Sequence, residues 1–152
     1  MHLFESVMRD FANVERHATP STLVVIDDIF PNHPVQALRH RRSGAWTGDI
    51  WKVVETLRRL RPDLLLLTLD SWTTGLLLVA GLNPDREGFA RQINSLPIDP
   101  DRPPPESVLS REGAVSSDHP AVFQLPDCLH RTARRHASVA EVDAELARLP
   151  RP

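Results

Sequence analysis

The stretch TLVVIDDIFPNHP, residues 22–34, decides which fold class the sequence predicts. It opens with an apolar run, Leu23 to Ile26, that contains three β-branched residues. Short apolar runs without alternation are typical of strands buried on both faces, as in parallel sheets. Two adjacent aspartates, Asp27 and Asp28, follow at the end of the run. In open α/β sheets the ligand crevice lies beyond the carboxyl ends of the parallel strands, so these carboxylates are the first candidate site.

The segments on either side of this strand complete the prediction of an α/β arrangement. Residues 3–17 carry apolar side chains at spacings of three and four, which predicts a helix with one apolar face. Thr47 is predicted to cap a second helix over residues 47–61. Two further apolar runs, 64–69 and 76–82, are separated by a short turn-rich break and predict an antiparallel hairpin. Because a crossover helix joins the first two strands, we expect those strands to run parallel.

The composition of the chain changes near residue 83. Residues 1–83 are predicted to form a partial α/β domain, and residues 84–152 a Pro-rich linker with a helical C-terminal extension. Seven of the fourteen prolines lie between Pro97 and Pro126, which is why regular structure is expected to be sparse there.

Helices are nevertheless expected in parts of this extension. One is predicted within residues 86–96, and one or two Arg-rich helices from residue 127 onward. The last of them is predicted to begin at Ser138, with Glu141 three positions later as its capping-box partner.

The overall composition excludes several classes of protein. Hydrophobic residues make up 41% and charged residues 25% of the 152 residues, as in an ordinary globular domain. The net charge of −2 provides no field that would attract nucleic acid or an anionic membrane. Cys128 is the single cysteine, so it forms no internal disulfide. The sequence shows neither a signal peptide nor an apolar stretch long enough to span a membrane, and we expect a cytoplasmic protein.

The acidic pair suggests a divalent cation site. Mg²⁺ prefers oxygen ligands and is often held by one or two carboxylates together with water and substrate. Asp27 and Asp28 are therefore candidate metal ligands. The alternative is that one aspartate caps the following turn and the other is solvated. His33, between two prolines in the same loop, is a candidate ligand or general base, unless it is simply exposed.

Other polar and aromatic features give weaker indications of function. The run RHRR, residues 39–42, could contact an anionic substrate or form a solvated face. Trp46, Trp51 and Trp72 are interpreted as core or hinge residues. The sequence contains no Gly-rich phosphate loop, no Ser-His-Asp arrangement and no Cys/His metal pattern.

Residues 1–83 resemble the second half of a class I S-adenosylmethionine-dependent methyltransferase. In that family a His-x-aromatic-Glu motif follows the fourth strand, and a later Asp lies in the next helix. A Pro-Gly type turn and an apolar strand that ends in Asp-Asp follow. The residues that match this motif and helix, in order, are His2, Phe4, Glu5 and Asp10. Pro20 and Ser21 stand at the turn, and Leu23 to Asp28 match the fifth strand. The segments AWTGDIWK and DSWTTGLLLVAGLNP resemble a bacterial subfamily of these methyltransferases.

The resemblance implies a fold, a reaction and a metal. The fold is the C-terminal half of a Rossmann-like methyltransferase: a helix, a parallel strand, a crossover helix and a terminal antiparallel hairpin. The reaction is O-methyl transfer to a small molecule. In metal-dependent members the acidic pair, here Asp27 and Asp28, helps to bind Mg²⁺, which lowers the pKa of the substrate hydroxyl. On this interpretation His2 and His33 are the candidate catalytic residues.

The same resemblance implies that cofactor binding depends on segments outside this sequence. The Gly-rich loop and the acidic residue that hold S-adenosylmethionine have no counterpart here, and a third metal carboxylate would precede Met1. The chain is therefore expected not to methylate by itself. The strand Leu23 to Asp28 would then have an unpaired edge, through which the chain could form a homo-oligomer.

Two alternatives from other classes remain at this point. The chain could be a non-catalytic interaction protein, a methyltransferase remnant that binds a partner through its open strand edge and Arg-rich tail. It could also be a receiver-like signalling domain, because LVVIDD and RPDLLLLTLD resemble two receiver strands. Thr68 stands where the phospho-acceptor aspartate of a receiver is expected, and Asp70 lies nearby.

Overall fold

The computed structural model of the chain describes residues 2–151. It is a mixed α/β structure with three strands and six α-helices among those residues. The strands are β1 (Val24–Asp27), β2 (Leu65–Leu69) and β3 (Leu76–Ala80). The helices are α1 (Phe4–His17), α2 (Lys52–Leu60), α3 (Phe89–Asn94), α4 (Glu106–Leu109), α5 (Pro120–Arg134) and α6 (Val139–Leu146). A 3₁₀ helix covers Pro34–Ala37.

The sheet has the order β1-β3-β2, with β3 antiparallel to both of its neighbours. The antiparallel hairpin predicted for β2 and β3 is confirmed, with Leu65 opposite Ala80 and Leu69 opposite Leu76. β1 and β2 run in the same direction, as expected, but they are separated by β3 and share no hydrogen bonds.

The prediction that the first strand is buried on both faces is wrong. Only Ile26 is buried in β1, and 52% of the Val25 surface is exposed. The reason is that β1 lies at the edge of the described sheet, whereas β3 lies at its centre. A continuous apolar run predicts a strand, but it does not tell which strand is central.

The two faces of the sheet are covered by different helices. Leu77 and Val79 of β3 belong to an apolar cluster that includes residues of α1, α2 and α3. Leu78 and Ala80, which point to the opposite face, belong to a second cluster with α5 and α6. Alternation along β3 thus divides the core into two layers, because successive strand residues point to opposite sides.

The second helix begins later than predicted. The sequence predicts Thr47 as its N-cap, but α2 starts at Lys52. The Thr47 hydroxyl instead donates to the Gln36 carbonyl at 3.1 Å. Gly48 has a φ of +58°, in the left-handed region, so the backbone turns there before the helix begins. Gly48 and Asp49, between Thr47 and the helix, contact the backbone at the start of α1.

The C-terminal region provides much of the second layer. α5 begins at Pro120, earlier than the predicted residue 127, and contains Pro126 without ending there. Pro126 lies beyond the first turn, so it leaves the Val122 carbonyl without the usual helical N–H donor. α6 is capped by Ser138 and Glu141 in a capping box, as the sequence predicts. The helix predicted within residues 86–96 is present as α3.

A buried arginine joins α1 to the end of α2. Arg61 is fully buried and donates to a Glu15 carboxylate oxygen at 2.6 Å and to Asp63 at 2.8 Å. Its guanidinium also lies 5.0 Å from the centre of the Phe89 ring. A buried charge is tolerated only when it is paired and hydrogen-bonded, and here both acids satisfy it.

No helix within residues 2–151 is both long and apolar enough to cross a bilayer.

Candidate functional site

The two aspartates singled out in the sequence lie at the carboxyl end of β1. Asp27 is the last residue of the strand and is exposed. Its Oδ1 atom accepts the Asp28 backbone N–H at 2.7 Å and lies 3.5 Å from the Thr74 hydroxyl. Asp27 therefore caps the following turn through its Oδ1 atom, which is one half of the alternative stated from the sequence.

Asp28 has an unusual backbone conformation. Its φ is +66°, in the left-handed region that residues with a Cβ adopt at a cost of about 1–2 kcal/mol. Aspartate is among the residues that enter this region more readily than most. The turn rotates the Asp28 carboxylate away from the strand and toward His2, whose Nε2 atom lies 3.1 Å from Asp28 Oδ2.

His2 lies between the acidic pair and an aromatic ring. Its imidazole centroid is 4.7 Å from the Trp46 ring, with 56° between the planes. About two fifths of the side chain is exposed, at 39%, so the imidazole remains accessible from solvent. His2 and Asp28 thus form a partly exposed pair of an imidazole and a carboxylate.

The backbone of His2 is positioned by the segment that precedes α2. Gly48 lies so close to it that a Cβ built on Gly48 would stand 1.7 Å from the His2 carbonyl oxygen. The next residue, Asp49, accepts the Phe4 N–H at 2.8 Å, which satisfies one of the free N–H groups at the start of α1. Glycine at position 48 and aspartate at position 49 therefore determine where α1 begins and where His2 lies.

Asp49 is held by two cations. It is buried, and its Oδ2 atom accepts hydrogen bonds from Arg39 at 2.8 Å and from Lys52 at 3.1 Å. Arg39 also binds Glu5 on α1, and this hydrogen bond lowers the pKa of the Glu5 carboxyl group. The Lys52 ammonium makes a further bond to the Asp99 carbonyl at 2.7 Å. The network fastens the start of α1, and with it His2, to the rest of the domain.

The RHRR run is explained mainly by this network. Arg39 is used for the ion pairs to Glu5 and Asp49. Arg41 donates to the carbonyls of Ser43 and Gly44, at 3.2 and 2.6 Å, within its own loop. Arg39 and Arg41 of the run therefore stabilise nearby segments of the chain. The other two members, His40 and Arg42, are exposed and have no hydrogen bond or ion pair in the described part of the chain.

His33 is used as a helix cap. Its Nδ1 atom accepts the Val35 N–H at 3.1 Å at the start of the 3₁₀ helix, and the side chain is exposed. Within residues 2–151 it forms no hydrogen bond or ion pair with Asp27 or Asp28. The structure thus brings His2 to the acidic pair and gives His33 a separate local role.

A second polar cluster surrounds the turn between β2 and β3. Arg111 donates to Asn32 Oδ1 at 2.6 Å and also binds the Asp70 carboxylate and the Thr73 carbonyl. Trp72, in the same turn, is 95% exposed, so it is not a core residue. The role of Arg111 was not predicted, because Arg111 and Ser71 are 40 positions apart and are brought together only by the fold. The exposure of Trp72 was not predicted either.

The acidic pair opens onto a groove beside β1. The groove has a volume of about 410 Å³ and is bounded by α1 on one side and the β1 edge on the other. Residues of both walls include His2, Asp10, Phe11, Val14, Val25 and Asp28. We refer to it as the β1 groove. Asp27, Asp28 and His2 lie along it, together with apolar side chains that a small organic molecule could contact.

The carboxylates offer two unused oxygens to a cation. Within residues 2–151, no hydrogen bond involves Asp27 Oδ2 or Asp28 Oδ1, whereas the other oxygen of each residue is used. No cluster of three or more His, Cys, Asp or Glu side chains suited to a metal is found in that range. A Mg²⁺ ion at this place would have only two carboxylates as protein ligands and would need water or substrate for the rest, so the metal site stays a prediction.

Comparison with protein-family models, with curated proteins and with solved structures finds no match to this chain.

Proposed function

We propose that the chain is a member of the S-adenosylmethionine-dependent methyltransferases and forms part of a site for O-methyl transfer to a small molecule, without the cofactor-binding half that the reaction needs. Residues 2–83 would supply the metal-binding and acceptor-binding side of its site. The observation that carries this proposal is the pairing of His2 with Asp28 at 3.1 Å, beside the free carboxylate oxygen of Asp27. The family resemblance includes all three residues, and His2 lies 25 positions before the acidic pair in the sequence.

The order of elements supports the proposal. A helix, a strand ending in two aspartates, a crossover helix and an antiparallel hairpin follow one another as the resemblance implies. The corresponding elements are α1, β1, α2 and the β2–β3 pair. The Rossmann-like character of the whole fold is part of the proposal, because three strands are too few to define it.

The acidic pair would act on the acceptor through Mg²⁺. When bound, Mg²⁺ lowers the pKa of a coordinated hydroxyl group and so makes its oxygen a better nucleophile. Asp27 and Asp28 would hold the ion through the two oxygens that the protein leaves unused. The acceptor would then lie in the β1 groove, with its apolar part against Phe11 and Val14 of α1.

His2 would take the proton that the acceptor hydroxyl loses. Asp28 contacts Nε2 of His2, so a proton on that atom would leave Nδ1 free to accept. The Asp28 carboxylate would orient the ring and stabilise the imidazolium that forms, as an acid does for the histidine of a catalytic pair. His33 is not needed for this step, because its Nδ1 atom accepts the Val35 N–H.

The methyl donor would be held by segments other than the 152 residues of this sequence. When bound, S-adenosylmethionine would supply an activated methyl group, and the acceptor oxygen would take that group from its sulfonium sulfur. The 152 residues contain none of the motifs that the resemblance associates with this cofactor, so none of them is assigned to it.

Calorimetric titration of Mg²⁺ and Mn²⁺ tests the metal site. Asp27→Asn removes one charged ligand, and Asp28→Gly removes the other while keeping a residue that tolerates the φ of +66°. We expect each variant to bind the metal at least about tenfold more weakly, which corresponds to about 1.4 kcal/mol. Asp127→Asn, at an exposed aspartate on α5, is the control and should leave the affinity unchanged. Equal affinity of wild type and Asp27→Asn would refute the metal role of Asp27.

A non-catalytic interaction protein is the second candidate, favoured by the unpaired edge of β1 and its exposed Val25. Saturable binding of S-adenosylmethionine by the full chain, measured by titration, would count against this candidate. The receiver-like alternative loses support because Thr68, at its phospho-acceptor position, is 3% exposed and donates to the Gly113 carbonyl at 3.2 Å.

A further inference from the structure

Trp51 carries a buried hydrogen-bond donor that has no partner. The residue immediately precedes α2 and is 1% exposed. Within residues 2–151, its Nε1 atom is the one buried side-chain nitrogen or oxygen that makes no hydrogen bond. An unbonded N–H group is costly to bury, so most such groups are satisfied by the protein or by a bound molecule. The indole N–H of Trp51 therefore indicates an acceptor that comes from outside the chain.

The Trp51 side chain lines a cavity to which α2, β2 and α4 also contribute. The cavity has a volume of about 370 Å³, which is within the range of small-molecule sites. The buried residues that line it are Ile29, Phe30, Trp51, Val54 and Thr68. Thr68 already donates its hydroxyl proton to the Gly113 carbonyl at 3.2 Å. The buried wall thus combines apolar surface with one donor that is still unused.

The open side of the cavity carries no net charge. The exposed residues that line it are Arg58, Ser107, Glu112 and Gly113. Arg58 and Glu112 have opposite charges, and neither side chain makes a hydrogen bond or ion pair within residues 2–151. An ion that entered would be repelled by one of the two charges and would lose its hydration against the apolar wall. The cavity therefore favours a neutral molecule.

The indole ring of Trp51 is held in place by charged neighbours. The Arg102 guanidinium lies 4.7 Å from the centre of the ring, and Arg102 donates to Glu55 of α2 at 2.6 Å. The Lys52 ammonium lies 5.6 Å from the same ring and donates to the buried Asp49 at 3.1 Å. A ligand loses less free energy on binding to a donor that is already fixed than to one that must first be ordered.

We propose that this cavity binds a small neutral organic molecule with an apolar body and a carbonyl oxygen, which accepts the Trp51 N–H. The apolar body would contact Ile29, Phe30 and Val54, which are buried in the cavity wall. A carbonyl oxygen fits this place better than a hydroxyl group, because it brings no proton that would need a partner of its own. The hydrogen bond would orient the molecule, and the apolar contacts would supply most of its affinity.

This binding site does not depend on the proposed methyl transfer. The cavity and the β1 groove share no lining residue. A failure of cation binding at Asp27 and Asp28 would leave the Trp51 cavity unaffected, and an empty cavity would leave the cation site unaffected.

Titration of acetophenone, a benzene ring with one carbonyl group, into the ¹⁵N-labelled full chain tests the proposal. The three tryptophans give three indole N–H signals, and Trp51→Phe identifies the signal of Trp51. We expect acetophenone to move the Trp51 indole proton downfield until the site is saturated, because a hydrogen bond deshields the proton. The other two signals should stay in place, because Trp46 already donates to the Leu38 carbonyl at 2.6 Å and Trp72 is 95% exposed.

A second probe separates the hydrogen bond from the apolar contacts. α-Methylstyrene has the shape of acetophenone but carries a CH₂ group in place of the carbonyl oxygen. It should move the backbone amide signals of Ile29 and Phe30 without moving the Trp51 indole proton downfield. Trp51→Phe keeps an aromatic ring and removes the donor. We expect it to weaken acetophenone binding about fivefold, which corresponds to about 1 kcal/mol, and to leave α-methylstyrene binding unchanged.

Trp72→Phe, at the exposed tryptophan, is the matched control and should bind acetophenone as the wild type does. Far-ultraviolet circular dichroism shows whether each variant is folded. Three results would overturn the proposal. The first is a Trp51 indole signal that does not respond to acetophenone, as expected if an ordered water satisfies the N–H. The second is an equal downfield shift with α-methylstyrene, and the third is a folded Trp51→Phe chain that binds acetophenone as tightly as the wild type.

Discussion

At the scale of single residues, the close approach of Gly48 to His2 determines whether the candidate site can form. A Cβ on Gly48 would stand 1.7 Å from the His2 carbonyl oxygen and 2.7 Å from its carbonyl carbon. Both atoms belong to the backbone, so neither can rotate away as a side chain would. The φ of +58° at Gly48 adds a second reason for glycine.

Gly48→Ala is therefore expected to destabilise the protein by more than about 1 kcal/mol, the usual range for alanine at a positive φ. It should also move His2 away from Asp28 and alter the proposed cation site. Urea denaturation measures the first effect. Gly44→Ala, in the same loop with nothing within 4 Å, is the matched control and should be close to neutral. Similar stability of the two variants would show that the His2 backbone adjusts freely.

The sequence predicts part of this site and misses part of it. The positions of Asp27 and Asp28 at a strand end follow from the apolar run that precedes them, and the structure has them there. The contact between His2 and Asp28 joins residues from separate elements, and no spacing rule gives it. The capping role of His33 was missed as well, although the proline after it is a signal for the start of a short helix.

At the scale of elements, α1 is fastened to the loop before α2 by the ion pair of Glu5 with Arg39 and by the bonds of Asp49. The arginine hydrogen bond lowers the pKa of Glu5 below its usual value of 4.5. A carboxyl group whose pKa is lower in the folded state stabilises that state above the unfolded pKa. The contribution is lost as the pH falls through the folded pKa.

Glu5→Gln should accordingly reduce the free energy of unfolding at pH 7, by less than about 1 kcal/mol because the pair is partly exposed. The difference between wild type and variant should shrink below pH 4.5 and vanish once Glu5 is protonated in both states. Urea unfolding at a series of pH values measures it. Glu106→Gln, at an exposed glutamate, is the control. A difference that does not change with pH would mean that the charge of Glu5 is not what stabilises α1.

The helices and strands themselves were predicted better than their arrangement in the sheet. α1, the β2–β3 hairpin and the capping box of α6 follow from local periodicity and capping residues, which act over a few positions. The edge position of β1 depends on where β3 inserts, more than fifty residues later in the sequence. Local patterns carry no information about such an insertion.

At the scale of the whole molecule, the C-terminal region belongs to the core. α5 and α6 cover the sheet face opposite to α1, and Leu125 of α5 is completely buried in the second apolar cluster. The many prolines of the preceding segment suggest an extension with little structure, yet Leu125, Cys128 and Leu129 recur at the spacing of a helical face. That periodicity indicates a packed helix, which the proline count obscures.

Leu125→Ala should therefore destabilise the whole molecule by about 2–5 kcal/mol, as for other buried leucines. Unfolding should remain a single transition, because the two layers share the sheet. Phe123→Ala, on the exposed side of the same helix, should change stability by less than about 0.5 kcal/mol. A small effect of Leu125→Ala, or separate transitions for the two layers, would show that α5 is not part of the sheet core.

The central claim is that Asp27 and Asp28 form a cation site next to His2. The most direct test is to add Mn²⁺ to the ¹⁵N-labelled chain and to record which amide signals are broadened by the paramagnetic ion. We expect the first losses at Asp27, Asp28 and Ile29, at His2, and at Thr74, with α5 and α6 unaffected. A chelator should restore the signals, and Asp27→Asn should largely prevent their loss. Broadening centred on other acidic residues, or none at all, would contradict the claim.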